Sequence, residues 1–239
     1  KEVRSRSNKS NIATKKKMSI KDKYKVKAIK KHECKEWFMY KHYAKRIPMI
    51  MFSFGLFKKK ELIGVCSYGN PVSKDLVQNM LNGKYKKSIY ELNRLVVNED
   101  LEKNTLSYFV SQTFKLLPSP CCLISYADSS QGHHGYIYQS TNWLYTGLTQ
   151  SIKDWKEIGT NKHSRGVATM GAEYMKKHPE RYEQVDRSRK HRYIQFIGTK
   201  KEKKDMMKNL RYKINPYPKG NNSRYDSSYK PNTQTQLFD

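Results

Sequence analysis

The chain has 239 residues, and 48 Lys and Arg against 21 Asp and Glu give it a formal net charge of +27. That length suits one large domain, and the excess charge points to a polyanionic partner: DNA, RNA or an anionic membrane surface. No run approaches the ~20 apolar residues of a membrane span, and the basic, apolar-poor first thirty positions do not read as a secretory signal. The four cysteines, Cys34, Cys66, Cys121 and Cys122, form no CxxC pair. They read as reduced, partly buried residues of a cytoplasmic protein, with a thiol nucleophile as the alternative.

Residues 1–25 read as a basic N-terminal extension, 26–214 as one catalytic domain, and 215–239, rich in Asn, Ser, Pro and Tyr, as a polar tail that is flexible or wrapped over the surface. Helical spacing over 36–43 places Trp37, Tyr40 and Ala44 on one face. Residues 49–57 and 62–69 read as a hairpin around a Lys-rich turn at 58–61, and 88–97 as a further strand with Glu91 and Asn93 alternating against Tyr90 and Leu92. After a polar connection at 98–103, Asn104 or Thr105 is the candidate N-cap of a helix with an apolar stripe of Leu106, Phe109, Val110, Phe114 and Leu117. Pro118 and Pro120 end it, and the apolar run at 121–126 has the composition of a buried parallel strand. Strand, helix and strand make a right-handed βαβ unit. Residues 191–198 alternate and read as a closing strand. The fold class is therefore α/β or α+β, a mixed central sheet flanked by helices.

In open sheets of this kind ligands bind beyond the carboxyl ends of parallel strands. Two such ends are polar here: Glu91-Leu92-Asn93-Arg94 and Ser125-Tyr126-Ala127-Asp128-Ser129-Ser130. Asp128 reads as an N-cap, as a carboxylate that orients or deprotonates an amine, or as both. His133 and His134 sit between glycines and suit phosphate contact or acid–base work more than metal ligation, for which His42 or Asp128 would have to complete the set. Tyr136, Tyr138, Trp143 and Tyr145, with Asn142, form either a packed face or a stacking pocket for a flipped base in which Asn142 or Asp128 reads a base edge. Arg94 calls for a partner in Glu91 or Asp128, or grips a phosphate or carboxylate. Lys41-His42-Tyr43-Ala44-Lys45-Arg46-Ile47-Pro48 is a basic segment that could rim the site. The helix start at Asn104, Thr105 and Ser107 could hold cofactor phosphates, although no glycine-rich loop is present.

The segments 41–48, Phe52-Ser53-Phe54-Gly55, Glu91-Leu92-Asn93-Arg94-Leu95-Val96-Val97, Asn104-Thr105-Leu106-Ser107 and 125–139 resemble the Mom family of phage DNA adenine-modification proteins. Asn142-Trp143, Tyr145-Thr146-Gly147, His163-Ser164-Arg165 and Arg189-Lys190-His191-Arg192-Tyr193 continue the likeness, which covers about residues 30–200. The resemblance implies a fold like that of the GNAT acyltransferases. It also implies transfer of a carbamoylmethyl-type group to the N6 amine of adenine in double-stranded DNA, as protection from host restriction. On that reading Tyr126, Tyr136 or Tyr138 stacks the base, with Tyr43, Asn93, Asn142, His133 and His134 also contacting substrate. Asp128 accepts a hydrogen bond from the amine. Arg94 and the start of the helix (Asn104, Thr105, Ser107) hold an acyl-CoA or related donor, Ser107 lying close enough to take part in catalysis. His42 is an acid, a base or, with Asp128, a ligand for the iron to which the family is linked. The connection at 98–103 has no glycine and three acids, unlike the diphosphate loop of a typical GNAT enzyme. A homodimer is the candidate assembly. The alternatives are a GNAT-like acyltransferase acting on a small amine or a protein, and a non-catalytic nucleic-acid-binding protein.

Overall fold

The computed structural model describes residues 18–160, 162 and 164–221. Most of the basic extension, the end of the tail and His163 therefore lie outside the described residues. Nine strands and seven helices are described: α1 (Ile20–Lys23), β1 (Tyr24–Ala28), β2 (Phe52–Lys58), β3 (Glu61–Gly69), α2 (Lys74–Asn79), β4 (Ile89–Val97), α3 (Thr105–Thr113), β5 (Cys121–Asp128), α4 (Tyr136–Ser140), β6 (Leu144–Leu148), β7 (Lys153–Glu157), α5 (Ser164–Val167), α6 (Ala172–Lys177), β8 (Tyr182–Asp186), β9 (Lys190–Ile197) and α7 (Lys200–Asn209). Seven strands form one mixed sheet in the order β1-β2-β3-β4-β5-β9-β6, and β7 and β8 form a separate ribbon. The β4–β5 pair is parallel and its neighbours are antiparallel, so β4, α3 and β5 make the expected βαβ unit.

The apolar pattern decides which elements cover which face. On one face α3 and α4 press Phe109, Val110, Tyr138 and Trp143 onto Phe54, Leu92, Leu123 and Tyr193. The other face has two separate covers. A helical stretch carrying Cys34, Trp37 and Phe38 packs on Phe57, Leu62, Val65 and Val96. Met80, Leu81 and Met206, from the ends of α2 and from α7, pack on Ile89, Cys122, Ile124, Ile194 and Phe196. Between them β4 and β5 present the polar residues Glu91, Tyr126 and Asp128, which follow the alternation of Ile89, Cys122 and Ile124, and Arg94, which a bulge brings to the same face.

Several elements differ from the sequence expectation. The helical stretch after Lys31 ends in a π-helical turn, Trp37–Lys41, a form that recurs at functional sites. Its buried positions are Trp37, Phe38 and Lys41, whereas Tyr40 and Ala44 are exposed. Lys41 sits inward because its ammonium meets Glu99 at 2.5 Å. Residues 49–51 are not in β2, because the carbonyl of Met49 is drawn to the Asn93 side-chain amide, 2.9 Å away. The boundary at residue 25 falls within β1. The strand at 190–197 lies inside the sheet, because β6 adds outside it. The first residues of the tail are packed: the Asn215 amide donates to the Tyr145 carbonyl (2.9 Å) and the Tyr217 hydroxyl to the Trp143 carbonyl (2.7 Å). All four cysteines are free and buried. Burial pushes the thiols of Cys34 and Cys121 up to about 12 and raises Cys66 and Cys122 further. A thiol nucleophile is thus overturned, since the thiolate would be uncompensated.

Trp143 is fully buried, with Tyr138 and Phe114 at ring distances of 5.2 and 5.9 Å. Trp143→Ala is expected to lower stability by ~3–5 kcal/mol, measured by chemical denaturation.

Candidate active site

The parallel ladder runs only from Ile89↔Cys122 to Glu91↔Ile124. Beyond it the strands part, and a serine bridges the gap: Ser125 Oγ donates to the Leu92 carbonyl (2.8 Å) and lies 2.7 Å from the Tyr138 hydroxyl. At the same level β4 carries a bulge. Ser67 pairs with Arg94 but Tyr68 with Leu92, so Asn93 is the extra residue. The bulge turns Arg94 onto the uncovered polar face. Asn93 is held by Ser67 Oγ (2.6 Å) and by the Met49 carbonyl, so it shapes the rim and is not free to contact substrate.

Five of the residues singled out from sequence meet at this opening: Arg94, His42, Tyr43, His133 and Asp128. Arg94 and His133 both hold down the charge on His42, and Asp128 and Arg94 both act on Tyr43. The Tyr43 ring stacks on His42 at 4.4 Å and meets His133 edge-on at 6.0 Å. His42 Nδ1 accepts the Ala44 amide at 3.0 Å, so its Nε2 carries the proton. Burial first, then Arg94 and His133, lower its pKa from 6.5 to about 3, which makes it a neutral donor. The His133 pKa is also lowered, mainly by burial, although Asp128 opposes the shift.

Asp128 ends β5 opposite Lys190 of β9. Its Oδ1 accepts from Ser130 N (3.1 Å), Ser130 Oγ (2.8 Å) and Ser188 Oγ (2.9 Å), and its Oδ2 meets Lys190 Nζ at 3.0 Å. Burial pulls its pKa up, but these partners outweigh that and hold it below the usual value, so the carboxylate is ionised. It is both a cap for the 3-10 turn Ser129–Gln131 and a member of the site. The Arg94 guanidinium donates to the carbonyls of Asn93 (2.6 Å) and Arg46 (3.3 Å), while its Nε is buried with no hydrogen-bond partner. Of the two carboxylates expected as its partner, Glu91 acts on Arg94 electrostatically, while Lys190 takes Asp128.

The other candidates are placed differently. Tyr126 lies on the same face of β5, two residues before Asp128, beside Glu91 and Arg192. Tyr138 is a core residue bonded to Ser125 and cannot stack a base. Asn142 is at the far end of β6. Its carbonyl holds Gln195, which pairs with Leu123, five residues and about 17 Å along the strand from Asp128. Tyr136 is half-exposed and donates to the Gly220 carbonyl at 2.6 Å. His134 belongs to a second cluster with His191, 5.6 Å away, and its Nδ1 is buried without a partner. Asn104 and Ser107 bond each other within their own turn (3.0 Å), so that hydroxyl is not presented to the cluster. Thr105 Oγ1 is buried without a partner. Ser188 is not singled out by the sequence, and Lys41 and Lys190 stand there only as members of a basic segment and of a family-like segment, without these partners. Their part depends on strand register, which the local pattern does not carry.

Iron does not fit these residues. His42 Nδ1 is taken by the Ala44 amide, and among the described residues no three His, Cys, Asp or Glu side chains gather as a metal site.

Two outcomes follow. The His42 pKa is depressed on folding, so unfolding takes up a proton below pH 6.5 and stability falls as pH drops. His42→Gln should abolish about 2 kcal/mol of the loss between pH 7 and pH 5, read from denaturation midpoints. Asp128 is likewise depressed from 3.8, so its contribution is present above that pH and lost as pH falls through the lower folded value. Asp128→Asn should flatten that acid limb in the same measurement.

The Mom protein family matches residues 23–219. The chain is 27% identical over 190 residues to the methylcarbamoylase Mom of Escherichia phage Mu, covering 75% of this chain and 77% of that protein. Among solved structures it is similar to an N-acetyltransferase from Staphylococcus aureus Mu50 (TM-score 0.42, 10% identity, 73% of this chain and 98% of that one). It is also similar to the ribosomal-protein-S18-alanine N-acetyltransferase from Escherichia coli (TM-score 0.41, 8% identity, 74% and 95%). With the family matched over most of its length, the chain belongs to the Mom protein family.

Proposed function

We propose that this protein is a transferase that places a small acyl-derived, carbamoylmethyl-type group on the N6 amine of adenine in phage DNA, shielding the DNA from host restriction. The observation that carries the reading is the convergence of Arg94, His42, Tyr43, His133 and Asp128 on the uncovered face where β4 and β5 part. Membership of the Mom family and the methylcarbamoylase name of the phage Mu relative supply the reaction class. The charge of +27 suits a duplex DNA partner. Among the described residues no helix is long and apolar enough to cross a membrane, in keeping with work in the host cytoplasm.

The adenine amine is a weak nucleophile because its lone pair is delocalised into the ring. It has to be extruded from the stack, oriented and relieved of a proton. Tyr43, one face of which stacks on His42, and Tyr126 are the rings of this site on which the base would stack. Asp128 has its pKa held down and is therefore a weak base, so it accepts a hydrogen bond from the amine through Oδ2, which meets Lys190, and leaves the proton to another group. His133, neutral at pH 7, takes the proton as the new bond forms. Arg94 Nε, buried and unpaired, donates to the carboxamide oxygen of the group being transferred and so orients the methylene carbon beside it. His42 adds its Nε2 proton to the same donor set.

A donor, when bound, would supply the methylene carbon of the carbamoylmethyl group: the N6–C bond would form as that carbon's bond to the donor's carrier breaks, the carrier leaving with the electron pair while His133 keeps the amine proton. The unpaired Arg94 Nε fits the carboxamide end of such a donor. The start of α3 fits a CoA diphosphate less well: the Thr105 amide is bonded to the Glu102 carbonyl, and Glu99 and Glu102 are tied to Lys41 and Lys23.

Nucleosides from DNA of cells expressing the protein should contain a modified deoxyadenosine by mass spectrometry. Arg94→Lys and Asp128→Ala should each reduce it about a hundredfold or more. Unmodified adenine with the intact protein would end this reading.

A further inference from the structure

Residues 44–51 leave the site directly from His42 and carry an unusual surface. Ile47, Met49 and Met51 are 42%, 70% and 42% exposed, although each is a large apolar side chain. Ile50 between them is buried at 7% in the core with Trp37 and Phe38. The alternation shows an extended segment anchored by one residue and holding the others outward.

The segment is held on both sides of Ile47 and Pro48. The Lys45 amide donates to the His42 carbonyl at 2.9 Å, and Lys45 adopts φ 41°, a left-handed conformation that surrounding contacts must impose. The Arg94 guanidinium holds the Arg46 carbonyl, the Asn93 amide holds the Met49 carbonyl, and the Met51 amide donates to the Tyr68 carbonyl at 2.8 Å. Gly69 permits the approach, since a Cβ there would lie 2.0 Å from the Met49 oxygen. Arg94, which faces the reacting groups, thus also holds the residue before Ile47, and its neighbour Asn93 holds Met49. Lys45 and Arg46, both exposed, stand beside them.

We infer that Ile47, Pro48 and Met49 form a wedge that enters the base stack of duplex DNA beside the target adenine and fills the space it leaves, with Lys45 and Arg46 on the flanking phosphates. The inference rests on the DNA-modifying reading above. A loop of Ile, Pro and Met directly after two cations matches the side chains that unstack base steps, and an enzyme acting on a base amine needs such a step. An apolar patch for a protein partner would not call for the adjoining cations or for rigid coupling to the site arginine.

The test uses the full-length protein and Ile47→Ser/Met49→Ser, which removes exposed side chains and keeps the backbone anchors. A duplex carrying 2-aminopurine in place of an adenine should brighten on binding the wild type and not the variant, at matched occupancy. With an extract of the expressing host as the donor source, modification of native DNA should fall about tenfold or more in the variant. Modification of heat-denatured DNA should change less than about twofold. A variant that keeps full brightening and full modification of native DNA overturns the wedge. So does equal loss on native and denatured DNA, or self-association of the wild type that the variant lacks, which would assign the patch to a second copy. A wild type that brightens the probe but modifies no DNA ends the enzyme reading and leaves the wedge standing.

Discussion

The parting of one parallel strand pair governs the rest of this structure. Hydrogen bonds between β4 and β5 stop at Glu91↔Ile124, and from there each strand has edge groups to satisfy inside a protein. Ser125 closes the gap from one side by bonding both the Leu92 carbonyl and Tyr138. The Asn93 bulge settles the other side by giving β4 an extra residue against β3. The cost of an interrupted ladder is offset by side-chain hydrogen bonds, and what results is a parted strand end with polar groups on both strands.

Electrostatics then sort the groups at that opening. Asp128 would be raised by burial alone, yet Ser130, Ser188 and Lys190 reverse the balance and keep it an anion. His42 has no such support and is driven neutral, with Arg94 adding to the effect. A fixed anion, neutral imidazoles and a buried guanidinium with an unmet donor are thus held side by side in one opening. Such a set can orient an amine, accept its proton and stabilise negative charge on an oxygen. Lys41 extends the same logic to the loop before α3, since a buried ammonium needs Glu99 as its partner and so ties that loop to the turn that presents His42.

Much of this was readable from local pattern. The hairpin, the strand at 89–97, the helix with Phe109 and Val110 and the apolar run of β5 all announce themselves by period and composition. Arg94 and Asp128 stood out as charged groups at strand ends. The errors have a common source. Tyr138 and Asn142 lie close to Asp128 in sequence, but α4 turns Tyr138 into the core and β6 carries Asn142 to the far end of the sheet. Short elements such as β1, β6 and the β7–β8 ribbon carry too few residues to show a period, and packing defines them.

Composition and spacing by themselves determined that this chain is a basic, mixed α/β protein with a βαβ unit and a charged strand end, because charge balance and apolar periodicity are properties of short stretches. Only the tertiary structure decided which charged groups meet. The pairing of Asp128 with Lys190, the placement of His42 beside Arg94 and the removal of Tyr138 from the site all depend on strand register and on which face a helix covers. Both are set by contacts between residues far apart in the chain.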